Sequence, residues 1–245
     1  MTSFHVGSLY AETHNSIVRG SLADSERLHG ILSQTTLQSA AAWAAAGAPS
    51  HNDGPAGDGG DAEPIVMQIR QVAKVIAARQ AMQAERDILL IELGNFDTHM
   101  GVVGGLSLNF DAMNMAFTAF ESEMKAQGVW NQVTLAGISE FGRTMTTNGQ
   151  GTDHAWGGNY FLFGGDVNGG KIHGTFPELR TDGPDSISST GQLLPTTPWE
   201  GLWKPIASWL GVHDDKMASV MPNLANFPAD RILNTTDVFR FQSRS

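Results

Sequence analysis

The amino-acid sequence predicts an α/β fold, a three-layer sandwich with a mainly parallel, alkaline phosphatase-like central sheet, and three observations lead there. Two continuous apolar runs, "DILLIEL" (Asp87–Leu93) and "VTLAGIS" (Val133–Ser139), have the character of strands covered on both faces. The helical pattern "FDAMNMAFTAFESEMKAQG" lies between them and supplies the spacing of a parallel crossover. Each run ends in groups that carry chemistry, "NFDTHMG" after the first and "EFGRT" after the second. In parallel sheets, functional groups gather at the carboxyl ends of the strands.

The elements follow in order. From about Ser8 to Ala46 apolar residues recur at helical steps, among them Ile17, Leu22, Leu28, Ile31 and Leu32. Gly20 is expected to interrupt this helix, and "SLADSE" offers a fresh cap. Residues 47–63 are rich in Gly, Pro and Asp and read as a flexible loop. Pro64 then opens a long amphipathic helix, "PIVMQIRQVAKVIAARQAMQAER", at a position where its missing N–H does no harm. The central strands are expected to include Leu89–Leu93, Val133–Ile138 and Tyr160–Phe163. "GGKIHGTFP" makes a fourth, short strand. "TTPWEGLWKPIASWLGV" is a final helix closed by Gly211, with its tryptophans on the core side or at an interface. The whole chain, 1–245, reads as a single domain. If no strand precedes residue 87, the sheet has an open edge, and such an edge invites self-association.

Composition narrows the function classes. The chain has 245 residues, enough to bury a full core, and 41% of them are hydrophobic. A net charge of -10 argues against a general nucleic-acid-binding surface. There are no cysteines, hence no disulfide and no thiolate metal site. No apolar run is long enough to span a membrane. The start, "MTSFHVGSLY", carries no signal-peptide pattern.

The chemistry-bearing residues are Asp97, His99, Glu140 and His154, the last in "GTDHAWGG". Carboxylates and neutral imidazoles form the oxygen and nitrogen set that suits Zn or Mn, with Ca or Mg as alternatives. A catalytic ion held there would polarise an ester oxygen or activate a nucleophile. Structural roles compete with this one. Asp97 can cap the following helix, Glu140 can pair with Arg143, and His154 can be an ordinary loop histidine. Arg143 itself suits either an anionic substrate or a charge pair. Thr147 and Asn148 fit a turn, the methionines of "AMNMAF" fit helical packing, His173 of "KIHG" reads as a surface or packing residue, and His5, His14, His29 and His51 have no ligand-like neighbours in sequence.

The segments "LGNFDTHM", "ISEFGRTMTTNGQGTDHAWGGNYFLFGGDVNGGKIHG" and "VMPNLANF" resemble domain-of-unknown-function family 1501, of the alkaline phosphatase and sulfatase superfamily. The resemblance runs from about "NSIVRGSLADSERL" to "NLANF". It implies a parallel α/β sheet with two metals at the strand ends and a small anionic ester as substrate. Asp97 and His99 resemble the first ligand pair, Glu140 stands where the Asp of an Asp-His pair usually stands, and His154 resembles the last histidine before its strand. It also implies export, to the periplasm or outside the cell.

The sequence departs from that pattern in three ways. Only Thr98 separates Asp97 from His99, where the superfamily usually has three residues. Phe141 takes the place of a histidine and cannot ligate, so the second metal site is weakened unless Asp153 completes it. No apolar strand leading to an acid and a hydroxyl nucleophile precedes residue 87, which reads as a C-terminal portion or a short relative. The expected function is therefore metal-dependent hydrolysis of phosphate or sulfate esters, impaired by the missing nucleophile. The alternative is a non-catalytic binding or structural member.

Overall fold

The computed structural model describes residues 9–47 and 65–240. Apart from Gly47, the Gly/Pro/Asp segment expected as a loop lies outside them, as do His5 and His51. The elements are α1 (Leu9–Gln34), α2 (Ala40–Ala45), α3 (Ile65–Ala77), α4 (Arg79–Met82), α5 (Val102–Ala126), β1 (Thr134–Gly137), β2 (Gly142–Thr147), β3 (Thr152–Ala155), β4 (Phe161–Gly164), α6 (Trp199–Trp209), α7 (Asp214–Val220) and α8 (Thr235–Val238).

The expected parallel sandwich is not what the chain forms. The described strands make two separate two-stranded sheets, β1 with β4 and β2 with β3, and both are antiparallel. Asp87–Leu93, expected as a central strand, is irregular, and Ile88 and Leu90 are 86% and 79% exposed. An apolar run specifies burial but carries no ladder. A strand exists only where another backbone meets it, and among the described residues none pairs with this one. The second expected strand shortens to β1, because Trp130–Gln132 is a turn of 3-10 helix. The third survives as β4, running antiparallel to β1 with Leu135 opposite Phe163. "GGKIHGTFP" forms no strand.

The helices also shift. Gly20 does not interrupt α1. One glycine costs a helix interior only about 1 kcal/mol, too little to break so long a run. The long helix expected from Pro64 instead divides at Ala78 into α3 and α4, and α4 ends at Gln83 in the left-handed conformation. Helix α5 begins eight residues before the expected Phe110, absorbing "VVGGLSLN". Helix α6 falls within the expected final helix and contains Pro205, and further short helices follow it.

The chain separates into two compact units, one of residues up to Ile91 with Met115–Glu123, the other of Glu92–Asn114 with residues from Met124 onward. In the first unit Trp43, Ile65, Val66, Ile69, Ala73, Ala116, Ala119 and Phe120 are buried. Glu123, fully buried there, carries out a long-range cap. Its carboxylate accepts from the backbone N–H of Gln38 at 3.0 Å, the N–H of Ser39 at 2.7 Å and the indole N–H of Trp43 at 3.3 Å. Helix α2 begins at Ala40 with no cap from the side chain of Ser39, so the acid of α5 satisfies amides that open its N-terminus.

In the second unit Val167, Ile206, Val238 and Phe239 form a buried cluster, against which Leu162 of β4 and Leu202, Trp203 and Trp209 of α6 pack. Trp209 stacks on Phe239, and its indole N–H donates to the Asp166 carboxylate at 3.1 Å. Trp203 and Trp209 thus follow the core reading, whereas Trp199 is 44% exposed. Among the described residues no helix is long and apolar enough to cross a membrane.

Replacing Glu123 with Ala is expected to destabilise the first unit by about 2–4 kcal/mol, since it leaves one buried and two part-buried donors without their acceptor. Glu123→Gln, which keeps one acceptor oxygen, is expected to cost less. Urea unfolding followed by Trp43 fluorescence measures both.

Candidate metal centre

The site is built from one hairpin and one irregular segment. Strands β2 and β3 pair so that Arg143 lies directly opposite His154, with an irregularity in register further along. Opposed residues on an antiparallel pair project to the same face, and this brings a cation and an imidazole together. The turn is held by its own polar side chains. Asn148 Oδ1 accepts from the N–H of Gln150 and of Gly151, and the Thr147 hydroxyl donates to the Gly151 carbonyl.

Residues 96–101 lie along this hairpin. Thr152 N–H donates to the Thr98 carbonyl at 3.2 Å, and Gly101 N–H to the Gln150 carbonyl at 3.1 Å. Gly151 makes the approach feasible, since a Cβ there would collide with the backbone of Thr98 and His99. Asn95 enters the segment at φ 68°, a left-handed conformation that asparagine tolerates better than most residues. Two successive tight turns, Thr98 N–H to Phe96 O and His99 N–H to Asp97 O, then present both side chains.

Three of the four expected ligands converge. One ligand atom each from Asp97, His99 and His154 lies within 4.8 Å of the others, and all three residues are exposed. Asp97 Oδ1 is 3.0 Å from His99 Nε2 and 2.7 Å from His154 Nε2. His99 Nδ1 is 3.1 Å from Asp153 Oδ1. Asp153 also accepts from the Asn148 amide at 3.0 Å. Phe141, which cannot ligate, lies flat against the His154 ring at 4.2 Å, and the His99 ring stacks on His154 at 5.1 Å.

Glu140 stands apart, exposed on the bend between β1 and β2, and does not join the convergent group among the described residues. Arg143 turns to Asp97. Its guanidinium donates to Asp97 Oδ1 at 2.6 Å and to the carbonyls of Phe96 at 2.8 Å and Thr152 at 2.9 Å. This tether ties the irregular segment to the hairpin. The supporting roles of Asp153 and Asn148 are not evident from sequence alone. The adjacency of Asp153 to His154 is the one signal for it, and Asn148 reads only as a turn former.

The donor chemistry fits a small borderline cation. Zinc bonds to imidazole nitrogen and carboxylate oxygen at about 2.0–2.2 Å, which sets tetrahedral ligand edges near about 3.3 Å. The two edges from Asp97, 3.0 and 2.7 Å, are shorter than that and would have to open, while the edge between the imidazoles lies within 4.8 Å. One carboxylate with two imidazoles suits Zn or Mn, whereas calcium takes six to eight oxygens. Asp153 stands behind His99, where an outer carboxylate would orient the imidazole if His99 held a cation.

The family described as "Protein of unknown function (DUF1501)" matches residues 29–198. The chain belongs to this family. Asp97, His99, Glu140, Arg143, Asp153 and His154 all lie within the matched span. No curated protein and no solved structure matches the chain.

Hydrogen bonds from His154 and then Arg143 hold the Asp97 carboxyl below its usual range, and Asn148 and then His99 do the same for Asp153. A carboxyl depressed in the folded state stabilises that state above the ordinary aspartate value of about 3.9, and the contribution is lost as pH falls through the lowered value. Stability is therefore expected to fall on acidification below about pH 4. The slope should flatten in an Asp97→Asn, Asp153→Asn double variant. Urea unfolding at a series of pH values reads the slope directly.

Proposed function

We propose that Asp97, His99 and His154 bind a divalent cation, Zn or Mn, and that this centre acts in hydrolysis of small anionic esters of the phosphate or sulfate class. The observation that carries the proposal is the double engagement of His99. Its Nδ1 faces Asp153 and its Nε2 faces Asp97, both at hydrogen-bond distance. A neutral imidazole has one N–H and cannot donate to two carboxylates. With the N–H given to Asp153, the Nε2 lone pair points at a carboxylate oxygen, an arrangement that a cation between them makes favourable.

The remaining roles follow from position. Asp153, itself held by Asn148, fixes the His99 ring. Phe141 fixes the His154 plane by stacking. Arg143 neutralises part of the Asp97 charge and keeps the 96–101 segment on the hairpin. Three protein ligands leave coordination positions open, the pattern of catalytic rather than structural zinc sites. A bound cation would supply Lewis-acid polarisation of an ester oxygen. The likeness of the "NFDTHMG", "SEFGRT" and "TDHAWGG" motifs to the alkaline phosphatase and sulfatase superfamily supports the ester class; the arrangement of strands does not.

A second reading, a non-catalytic binding or structural protein, is favoured by the contact of Arg143 with Asp97 at 2.6 Å. A carboxylate already satisfied by a guanidinium and two imidazoles can serve as a purely structural knot.

Metal analysis of protein purified without chelator, followed by calorimetric titration with Zn or Mn, separates the two. Wild type is expected to bind one equivalent. His154→Ala and His99→Ala are expected to weaken binding by at least about 10–100-fold, the loss typical of removing even an outer partner. Glu140→Gln is expected to bind as wild type does. Turnover of aryl phosphates and aryl sulfates that depends on added metal would support the hydrolase. Metal binding without turnover, or no binding at all, favours the second reading.

A further inference from the structure

Arg70 and Lys74 lie four residues apart on α3 and therefore share one side of the helix. They border the buried stripe of Ile65, Val66, Ile69 and Ala73, and Lys74 itself is only 6% exposed. Like charges at this spacing repel one another, and burial strengthens the repulsion by removing solvent screening. The ordinary remedy is a carboxylate between them. Among the described residues neither Arg70 nor Lys74 has an ion-pair or hydrogen-bond partner. The Arg70 Nε is moreover buried with no acceptor. Native structures rarely leave a buried charged donor unmet, because its desolvation is not offset.

We propose that Arg70 and Lys74 form a binding site for a small oxyanion, of the phosphate or carboxylate class, separate from the candidate metal centre. A guanidinium supplies Nε and terminal N–H donors in one plane, which suits two oxygens of such an anion. The ammonium one helical turn away supplies a further donor and a second charge. The anion thereby meets the orphaned Nε and screens the repulsion along the helix. Burial and the neighbouring Arg70 charge hold the Lys74 ammonium below its ordinary range, the direction expected of a cation lacking its counter-ion. Nothing here depends on the metal centre, which lies in the other compact unit.

The test uses the full chain and inorganic phosphate, with EDTA present so that any metal-dependent phosphate binding is silent. Melting temperature is recorded across a phosphate titration against chloride at matched ionic strength, and calorimetry gives the dissociation constant. A saturable, phosphate-specific rise in Tm is expected. Arg70→Gln and Lys74→Met are each expected to weaken phosphate binding by about tenfold or more, the factor implied by loss of one charge-assisted hydrogen bond. Lys74→Arg, which keeps the charge, is expected to weaken it less. His154→Ala is expected to leave it unchanged and so confirms the location. Should either charge-removing variant fail to fold, the other and Lys74→Arg carry the comparison. The proposal is overturned if phosphate and chloride act alike, if both charge-removing variants bind as tightly as wild type, or if His154→Ala abolishes the binding.

Discussion

One carboxylate oxygen organises the candidate site. Asp97 Oδ1 lies within 3.0 Å of three side-chain nitrogens, from Arg143, His99 and His154, and they come from two stretches of chain far apart in sequence. The segment that carries Asp97 has no regular structure of its own. Its place is set by backbone bonds from Thr152 and Gly101 and by the Arg143 guanidinium, which reaches the Phe96 carbonyl and the Asp97 carboxylate together. Geometry within the cluster therefore depends on the hairpin. The docking of that segment on the hairpin in turn depends on Gly151, where any side chain would strike the backbone of Thr98 and His99.

The same logic governs the first unit, with the opposite outcome for different groups. Glu123 is fully buried and gathers three donors, so its burial is compensated. Lys74 is nearly as buried, and its nearest charged neighbour on the helix is another cation. A buried charge with partners is a structural device; a buried charge that meets none among the described residues is the ground of the proposed anion site. The candidate metal centre stands between these cases. Its acids have partners, yet they ask for two N–H groups of one imidazole, which has only one when neutral.

Much of the site was legible in the residues themselves. Asp97, His99 and His154 stand out as an oxygen and nitrogen donor set, and they meet. Glu140 was drawn in by its place at the end of an expected parallel strand, and it stays on an exposed bend. Convergence was expected from three connections at one end of a parallel sheet. It arises instead from an antiparallel hairpin, β2–β3, in a stretch whose Gly, Thr and Asn content reads as turn. Asp153 was read only as completing a second metal site and Asn148 only as a turn former, since their contacts with His99 exist only once residues 96–101 lie across that hairpin.

Sequence by itself determined the local quantities: the helices with strong periodicity, the absence of thiol chemistry and the residue types able to hold a cation. These depend on side-chain chemistry and on neighbours three or four positions away. Tertiary structure alone decided which strands exist and in which direction they run. Ladder hydrogen bonds come from distant backbone, and an apolar run such as Asp87–Leu93 records a preference for burial without naming a partner. It also decided that Arg143 would serve Asp97 rather than Glu140, because that choice rests on which loop the hairpin meets.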